Sequence, residues 1–110
     1  MSYQHKSLAL GRWNQMPFME QMANIGSEVE RALNWRAKSN DTYCLQAAER
    51  ALELMDLSLG ATRNFPRLKE LARVRESLVD YFFGTNEYSS TDVLLRNYFS
   101  SFTFSFRKHL

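Results

Sequence analysis

Apolar residues recur with a helical period along most of the chain, in four stretches separated by short polar breaks. The first stretch runs from about Pro17 to Lys38, and its proline suits the first turn of a helix. One face of this helix is predicted to carry Phe18, Met22, Ile25, Val29, Ala32, Leu33 and Arg36.

The second stretch follows Asn40 and Asp41, either of which can cap the free N–H groups of a helix. It runs to Leu59, and Gly60 is a suitable C-terminal stop. Its predicted inner face consists mainly of small residues, namely Cys44, Ala47, Ala48, Ala51, Met55 and Ser58. Because small side chains let a neighbouring backbone approach closely, this helix is expected to pack against the bulkier first or third helix.

The third stretch begins with a cap and a proline at Asn64 to Pro66 and ends at Gly84. Its apolar face is predicted to contain Leu68, Leu71, Ala72, Leu78, Val79 and Phe82. The fourth stretch begins after Thr91 and runs to about Arg107. Its apolar face is predicted to contain Leu94, Leu95, Tyr98, Phe99, Phe102 and Phe106.

The fourth stretch also contains a pattern typical of a strand, because Phe102, Phe104 and Phe106 alternate with polar residues. A single terminal strand would have no partner in a helical chain unless another subunit supplied one. We therefore predict a helix, on which Phe104 points away from the core.

Together the pattern predicts one all-α domain, an up-down-up-down four-helix bundle over residues 16–110. Residues 1–15 have no clear period and are predicted to form an N-terminal arm. A chain of 110 residues is one ordinary domain, and 45% hydrophobic residues suffice for a core.

The charge is nearly balanced, with 14 basic and 12 acidic residues. This composition disfavours a strongly electrostatic nucleic-acid binder, although a local basic surface remains open. A lone cysteine, Cys44, excludes an intrachain disulfide, and no apolar run has the length of a signal peptide core or a membrane span. We expect a cytoplasmic protein without a membrane partner.

The sequence predicts no enzyme, no metal and no cofactor. Its two histidines, His5 and His109, lie near the chain ends, and neither follows a glutamate at the spacing of a di-iron bundle. A phosphate-binding glycine loop is absent, and no central histidine could activate a serine.

Arg75 falls near the middle of the predicted apolar face of the third helix. A charge there needs a partner, because breaking a buried ion pair costs about 3–5 kcal/mol. One interpretation is an internal pair with Glu28, at the edge of the first helix. The other is a contact across a subunit interface or with a ligand.

A basic cluster, which comprises Arg63, Arg67, Lys69 and Arg73, surrounds the start of the third helix. It is either a solvated helix face or a surface that contacts phosphates.

Three aromatic residues are predicted to lie outside the core or near helix ends: Trp13, Trp35 and Phe104. They indicate more exposed apolar surface than a monomer needs, and thus an interface in a closed homo-oligomer. The leading functional prediction is a non-enzymatic interaction or scaffolding protein, with itself or another protein as partner. The alternative is a nucleic-acid-binding accessory protein that uses the basic cluster.

The segment A-N-I-G-S-E-V-E-R at residues 23–31 resembles the A-N-I-A-E-G-x-x-R signature of one small bacterial family. These are the four-helix-bundle proteins encoded in intervening sequences of 23S ribosomal RNA genes, and the accessory variability proteins of diversity-generating retroelements are similar to them. Asn24, Ile25 and Arg31 match in place, whereas Gly26 to Glu28 depart from Ala-Glu-Gly. The resemblance implies an up-down bundle that assembles into a ring and, in the retroelement branch, a basic surface for RNA and a reverse transcriptase.

Overall fold

The computed structural model describes residues 11–108, without the side chains of Phe106 and Lys108. It contains four helices: α1 (Phe18–Ala37), α2 (Asp41–Ala61), α3 (Phe65–Phe83) and α4 (Asp92–Lys108). No strand occurs in this described part, so the all-α prediction is confirmed. The alternating phenylalanines lie within α4, and the strand alternative is wrong. His5 and His109 lie outside the described residues.

Three of the helix starts use side-chain caps. The Asn40 side chain accepts a hydrogen bond from the Tyr43 N–H, and Asn64 accepts one from Arg67 N–H. Thr91 Oγ1 accepts one from Leu94 N–H at 3.1 Å. The predicted stop at Gly60 is wrong, because α2 continues through it to Ala61.

Contacts between the helices show their directions. Ser58, near the end of α2, donates to Gln21 near the start of α1, and Phe102, late in α4, packs against Phe18 at the start of α1. Tyr81, near the end of α3, donates to Asp92, the first residue of α4. Arg67 of α3 lies over the Phe18 ring, so the starts of α1 and α3 meet at one end of the molecule. The helices therefore run up, down, up and down, as predicted.

Helix α1 packs against both α2 and α4, and α2 packs against α3. The predicted face of α2 is confirmed, since all six of its small-face residues are buried. The predicted face of α1 is confirmed for Met22, Ile25, Val29, Ala32 and Leu33, which are buried, whereas Phe18 is half-buried and Arg36 is exposed. At Gly26 the helices α1 and α4 meet closely: an added Cβ would lie 2.8 Å from Phe99 Cβ. Glycine is thus required by the packing of α4.

The predicted face of α3 is confirmed in part: Leu71 and Leu78 are buried, and Val79 and Phe82 pack against the core. Its buried residues are Leu71, Val74 and Leu78, whereas Ala72 is exposed. On α4, Leu95 and Phe99 are buried as predicted, but Leu94 is exposed. The α3 error arises because apolar residues lie on two sides of this helix, and only the side towards α2 is covered.

A short 3-10 turn at Trp13–Gln15 precedes α1, and Trp13 is only 1% exposed. The Trp13 indole Nε1 donates to Ser58 Oγ at 3.0 Å, and Ser58 Oγ donates to Gln21 Oε1 at 2.8 Å. Gln21 Nε2 closes the ring by donating to the Trp13 carbonyl at 2.9 Å. Trp13 therefore belongs to the core, which corrects its assignment to the arm and to an oligomer interface. A buried hydroxyl satisfies its N–H, so the whole ring can leave water.

Candidate interaction surfaces

All four members of the basic cluster are exposed, but they point in two directions. The Arg67 guanidinium lies 4.7 Å from the centroid of the Phe18 ring, and Arg63 Nη1 donates to the Gly60 carbonyl at 3.3 Å. These two residues lie against the end of the bundle. Lys69 and Arg73, one turn apart, lie on the side of α3 opposite the core.

The positive charge of the basic cluster is uncompensated within the described residues. None of its members lies within 4.0 Å of a carboxylate there, whereas Arg31, Arg50, Arg75 and Arg96 all do. The acid within the cluster, Glu70, instead accepts a hydrogen bond from Tyr98 Oη at 2.5 Å. Burial raises the pKa of Tyr98, and this hydrogen bond to a carboxylate raises it further.

Arg75 does not pair with Glu28, which corrects the predicted partner. Arg75 Nε lies 2.7 Å from Asp56 Oδ1, and Arg75 Nη2 lies 3.4 Å from Asp56 Oδ2. Glu28 instead accepts from Arg31 at 2.9 Å and from Arg50 at 3.0 Å. The rotation of α3 moves Arg75 out of the core to the edge beside α2. Helix positions alone did not point to this pair, because antiparallel helices joined over residues 61–65 set Asp56 and Arg75 roughly 8 Å apart along the axis, a distance that the long arginine side chain spans.

An outer stripe runs along α3 on the side opposite Leu71, Val74 and Leu78. It consists of Phe65, Lys69, Ala72, Glu76 and Phe83, all of them exposed. Phe65 is 71% exposed and Phe83 is 44% exposed. The sequence analysis missed this stripe because it placed Ala72 in the core.

Most of the exposed large hydrophobic residues lie in one half of the molecule. Those on α3, on α4 and on the loop between them are Phe65, Phe83, Tyr88, Val93, Leu94 and Phe104. On the helices α1 and α2 only Met19, Tyr43 and Leu45 are comparable. Phe104 is 71% exposed, as the helical interpretation predicts.

Trp35 is half-buried, with its ring centroid 4.9 Å from that of Tyr43. Its role in an interface stays a prediction.

A groove of about 610 Å³ lies between α1 and α4, with Phe104 among its lining residues. Its charged residues include Arg96, whose Nε donates to both carboxylate oxygens of Glu30 at 3.0 and 3.1 Å. Arg96 Nη2 also donates to Asn34 Oδ1 at 3.2 Å. Three polar residues of this groove, Glu30, Asn34 and Arg96, are therefore bound to one another.

The loop between α3 and α4 is held by the Asp80 carboxylate. Asp80 Oδ1 accepts from Glu87 N–H at 2.8 Å, and Oδ2 accepts from Tyr88 N–H at 3.1 Å. Asn86 adopts a left-handed backbone conformation with φ of 59°, and its side chain binds the backbone of Ser90 in both directions. The loop is thus held by side-chain to backbone hydrogen bonds within the segment, and the Tyr88 ring is left exposed.

Within residues 11–108, no three side chains of His, Cys, Asp or Glu are grouped as metal ligands would be. Cys44 is buried, and burial raises the pKa of its thiol, which disfavours a thiolate nucleophile. Glu53 is wholly buried in α2, a feature that the helical pattern did not reveal. None of the described helices combines the length and the apolar character that crossing a membrane requires.

Comparison with known proteins gives no relative on which to base a function: no family model, no curated protein and no solved structure matches the chain. The resemblance of residues 23–31 to the ribosomal intervening-sequence proteins therefore stays a prediction.

Proposed function

We propose that the chain is a non-enzymatic, cytoplasmic interaction or scaffolding protein that assembles with copies of itself. The observation that carries the proposal is the concentration of exposed apolar side chains on α3, α4 and the loop between them. Exposed apolar side chains that are concentrated in one region of a protein favour an interaction site there, because their exposure to water is unfavourable. The ring that the family resemblance implies is one closed form of such an assembly.

The test is the mass of the protein in solution. Sedimentation equilibrium between about 1 and 100 μM, the range in which modest interfaces associate, should give a multiple of the 12.9 kDa chain mass. A single species of 12.9 kDa at tens of micromolar would contradict self-association. Phe104→Ser should weaken the assembly if α4 takes part. Leu45→Ser, which removes an exposed apolar residue from α2, is the matched control.

A second candidate function is nucleic-acid binding, favoured by the uncompensated charge of the basic cluster. Fluorescence anisotropy with unrelated DNA and RNA oligonucleotides at low and moderate salt tests it. If Lys69 and Arg73 contact phosphates, the double change to Gln should reduce the salt dependence, by about 0.9 in log–log slope per lost contact to duplex DNA. Arg31→Gln on α1, where Arg31 is paired with Glu28, is the control. Absence of binding at low salt would exclude this role.

A further inference from the structure

The outer stripe of α3 has the spacing of a seam between two helices. Successive members are four, three and four residues apart from Phe65 to Glu76, and Phe83 follows one heptad later. This alternation of three and four keeps the residues on one side of a helix that pairs with another helix. At 1.5 Å per residue, Phe65 and Phe83 lie about 27 Å apart along the axis. The stripe thus has a large aromatic ring at each end.

Charge is ordered along the same stripe. Lys69 lies before Ala72, within the basic cluster, and Glu76 lies after it. Further along, Asp80 and Glu87 add negative charge at the C-terminal end of α3. The N-terminal half of this surface is therefore basic and the C-terminal half is acidic. In a second copy rotated by 180°, the acidic half lies beside the basic half of the first copy.

We infer that α3 pairs antiparallel with α3 of a second copy, about a two-fold axis at the level of residue 74. This inference rests on the proposed self-association and names the surface that mediates it. The axis is the midpoint between Phe65 and Phe83. A two-fold interface uses the same patch on both copies, so that every contact occurs twice.

The register follows from that axis. Phe65 lies level with Phe83 of the second copy, which covers both exposed rings at each end of the contact. Lys69 lies within one helical turn, roughly 4.5 Å along the axis, of Glu76 of the second copy. The small side chain of Ala72 lies close to the two-fold axis. It therefore allows the two helix axes to approach to about 8–10 Å, the distance typical of packed helices.

A parallel pairing is disfavoured because it would set Lys69 against Lys69 and Glu76 against Glu76. A nucleic-acid partner is disfavoured for this stripe too. Its charges, Lys69 and Glu76, cancel, and both of its ends are apolar. A second copy is the partner that matches the rings and the charge order together.

Charge exchange tests the inference. Lys69→Glu and Glu76→Lys each set like charges together at two places, so each should raise the dissociation constant of the assembly by about tenfold or more. The double variant Lys69→Glu/Glu76→Lys restores opposite charges and should recover most of the parent affinity. Ala72→Arg should also disrupt the contact, whereas Ala37→Arg, at an exposed alanine on α1, should not. Sedimentation equilibrium measures the mass, and circular dichroism verifies the helical fold of each variant.

The possible results distinguish α3 pairing from self-association through another surface. An assembly that none of these changes weakens overturns the α3 pairing but leaves self-association through another surface. A parent protein that is monomeric at tens of micromolar overturns both. Single variants that dissociate without rescue in the double variant overturn the antiparallel register. A loss of nucleic-acid binding in Lys69→Glu but not in Glu76→Lys, with unchanged mass in both, assigns the stripe to nucleic acid instead.

Discussion

Arg75 of α3 and Asp56 of α2 form a two-point ion pair, with Arg75 Nε 2.7 Å from Asp56 Oδ1. Their side chains are 34% and 33% exposed, so water screens much of the attraction. Arg75→Ala should therefore lower the free energy of unfolding by only about 0.5–1 kcal/mol, the range of partly exposed pairs.

A double-mutant cycle in urea denaturation isolates this interaction. Asp56→Ala should cost about as much as Arg75→Ala, and the double variant should cost less than the sum of the two. Glu28→Gln is the control, because it should show no coupling to Arg75. A loss of several kcal/mol for Arg75→Ala alone would mean that this charge is buried.

Ser58 links Trp13 to Gln21, and all three residues are buried. Ser58→Ala removes the acceptor of the indole N–H and the donor to Gln21. Leaving a buried polar group without a partner costs about 1–3 kcal/mol, so a loss in that range or above it is expected. Urea denaturation followed by circular dichroism measures it. The exposed Ser27→Ala on α1 should stay within about 0.5 kcal/mol of the parent, as is usual for surface positions.

Two helical glycines should respond in opposite directions to alanine. At Gly26 the new Cβ would lie 2.8 Å from Phe99 Cβ, so α4 must shift and Gly26→Ala should destabilise the bundle. At Gly60 no atom lies within 4 Å of the new Cβ. Gly60→Ala should therefore gain about 0.5–1 kcal/mol from the greater helix propensity of alanine. Thermal unfolding of both variants tests this contrast. Stabilisation by Gly26→Ala would contradict the close contact of α1 and α4.

Tyr98 should make the bundle sensitive to alkaline pH. Burial, and then the hydrogen bond to Glu70, raise the pKa of its phenol above the ordinary value of 10.0. The folded state then holds this proton more tightly than the unfolded state, so its contribution to stability is complete below pH 10 and decreases as the pH rises above it. Urea denaturation at pH 7, 9, 10 and 11 measures the decrease. Tyr98→Phe should reduce the slope above pH 10, whereas Tyr88→Phe, on the exposed loop, should leave it unchanged.

The sequence predicted the helix order and the core faces of α1 and α2, because each of these faces contrasts clearly with a polar side. On α3 it placed Leu71 and Leu78 correctly but put Ala72 in the core and missed Val74, because apolar residues follow both the buried line through Val74 and the outer stripe through Ala72. A helical wheel cannot choose between two such lines, since the choice depends on the neighbours that cover the helix.

Trp13 lay beyond prediction for another reason. Its burial depends on Ser58, which lies 45 residues further along the chain, and no periodic pattern precedes α1. Among the candidate surface residues, the exposure of Phe104 and of the basic cluster followed from helical position alone. The partner of Arg75 did not, because the rotation of α3 decides it.

The boundary between α3 and α4 differs from the other boundaries of the bundle. Helices α3 and α4 make few backbone approaches, and two tyrosine hydroxyls cross between them, Tyr98 to Glu70 and Tyr81 to Asp92. Breaking these two hydrogen bonds costs little net free energy, because water can replace each partner. Separating α1 from α2 would cost more, because it would expose the apolar core to water. Local opening of the native bundle should therefore begin at this boundary, with α3 and α4 separating while the α1–α2 hairpin stays closed.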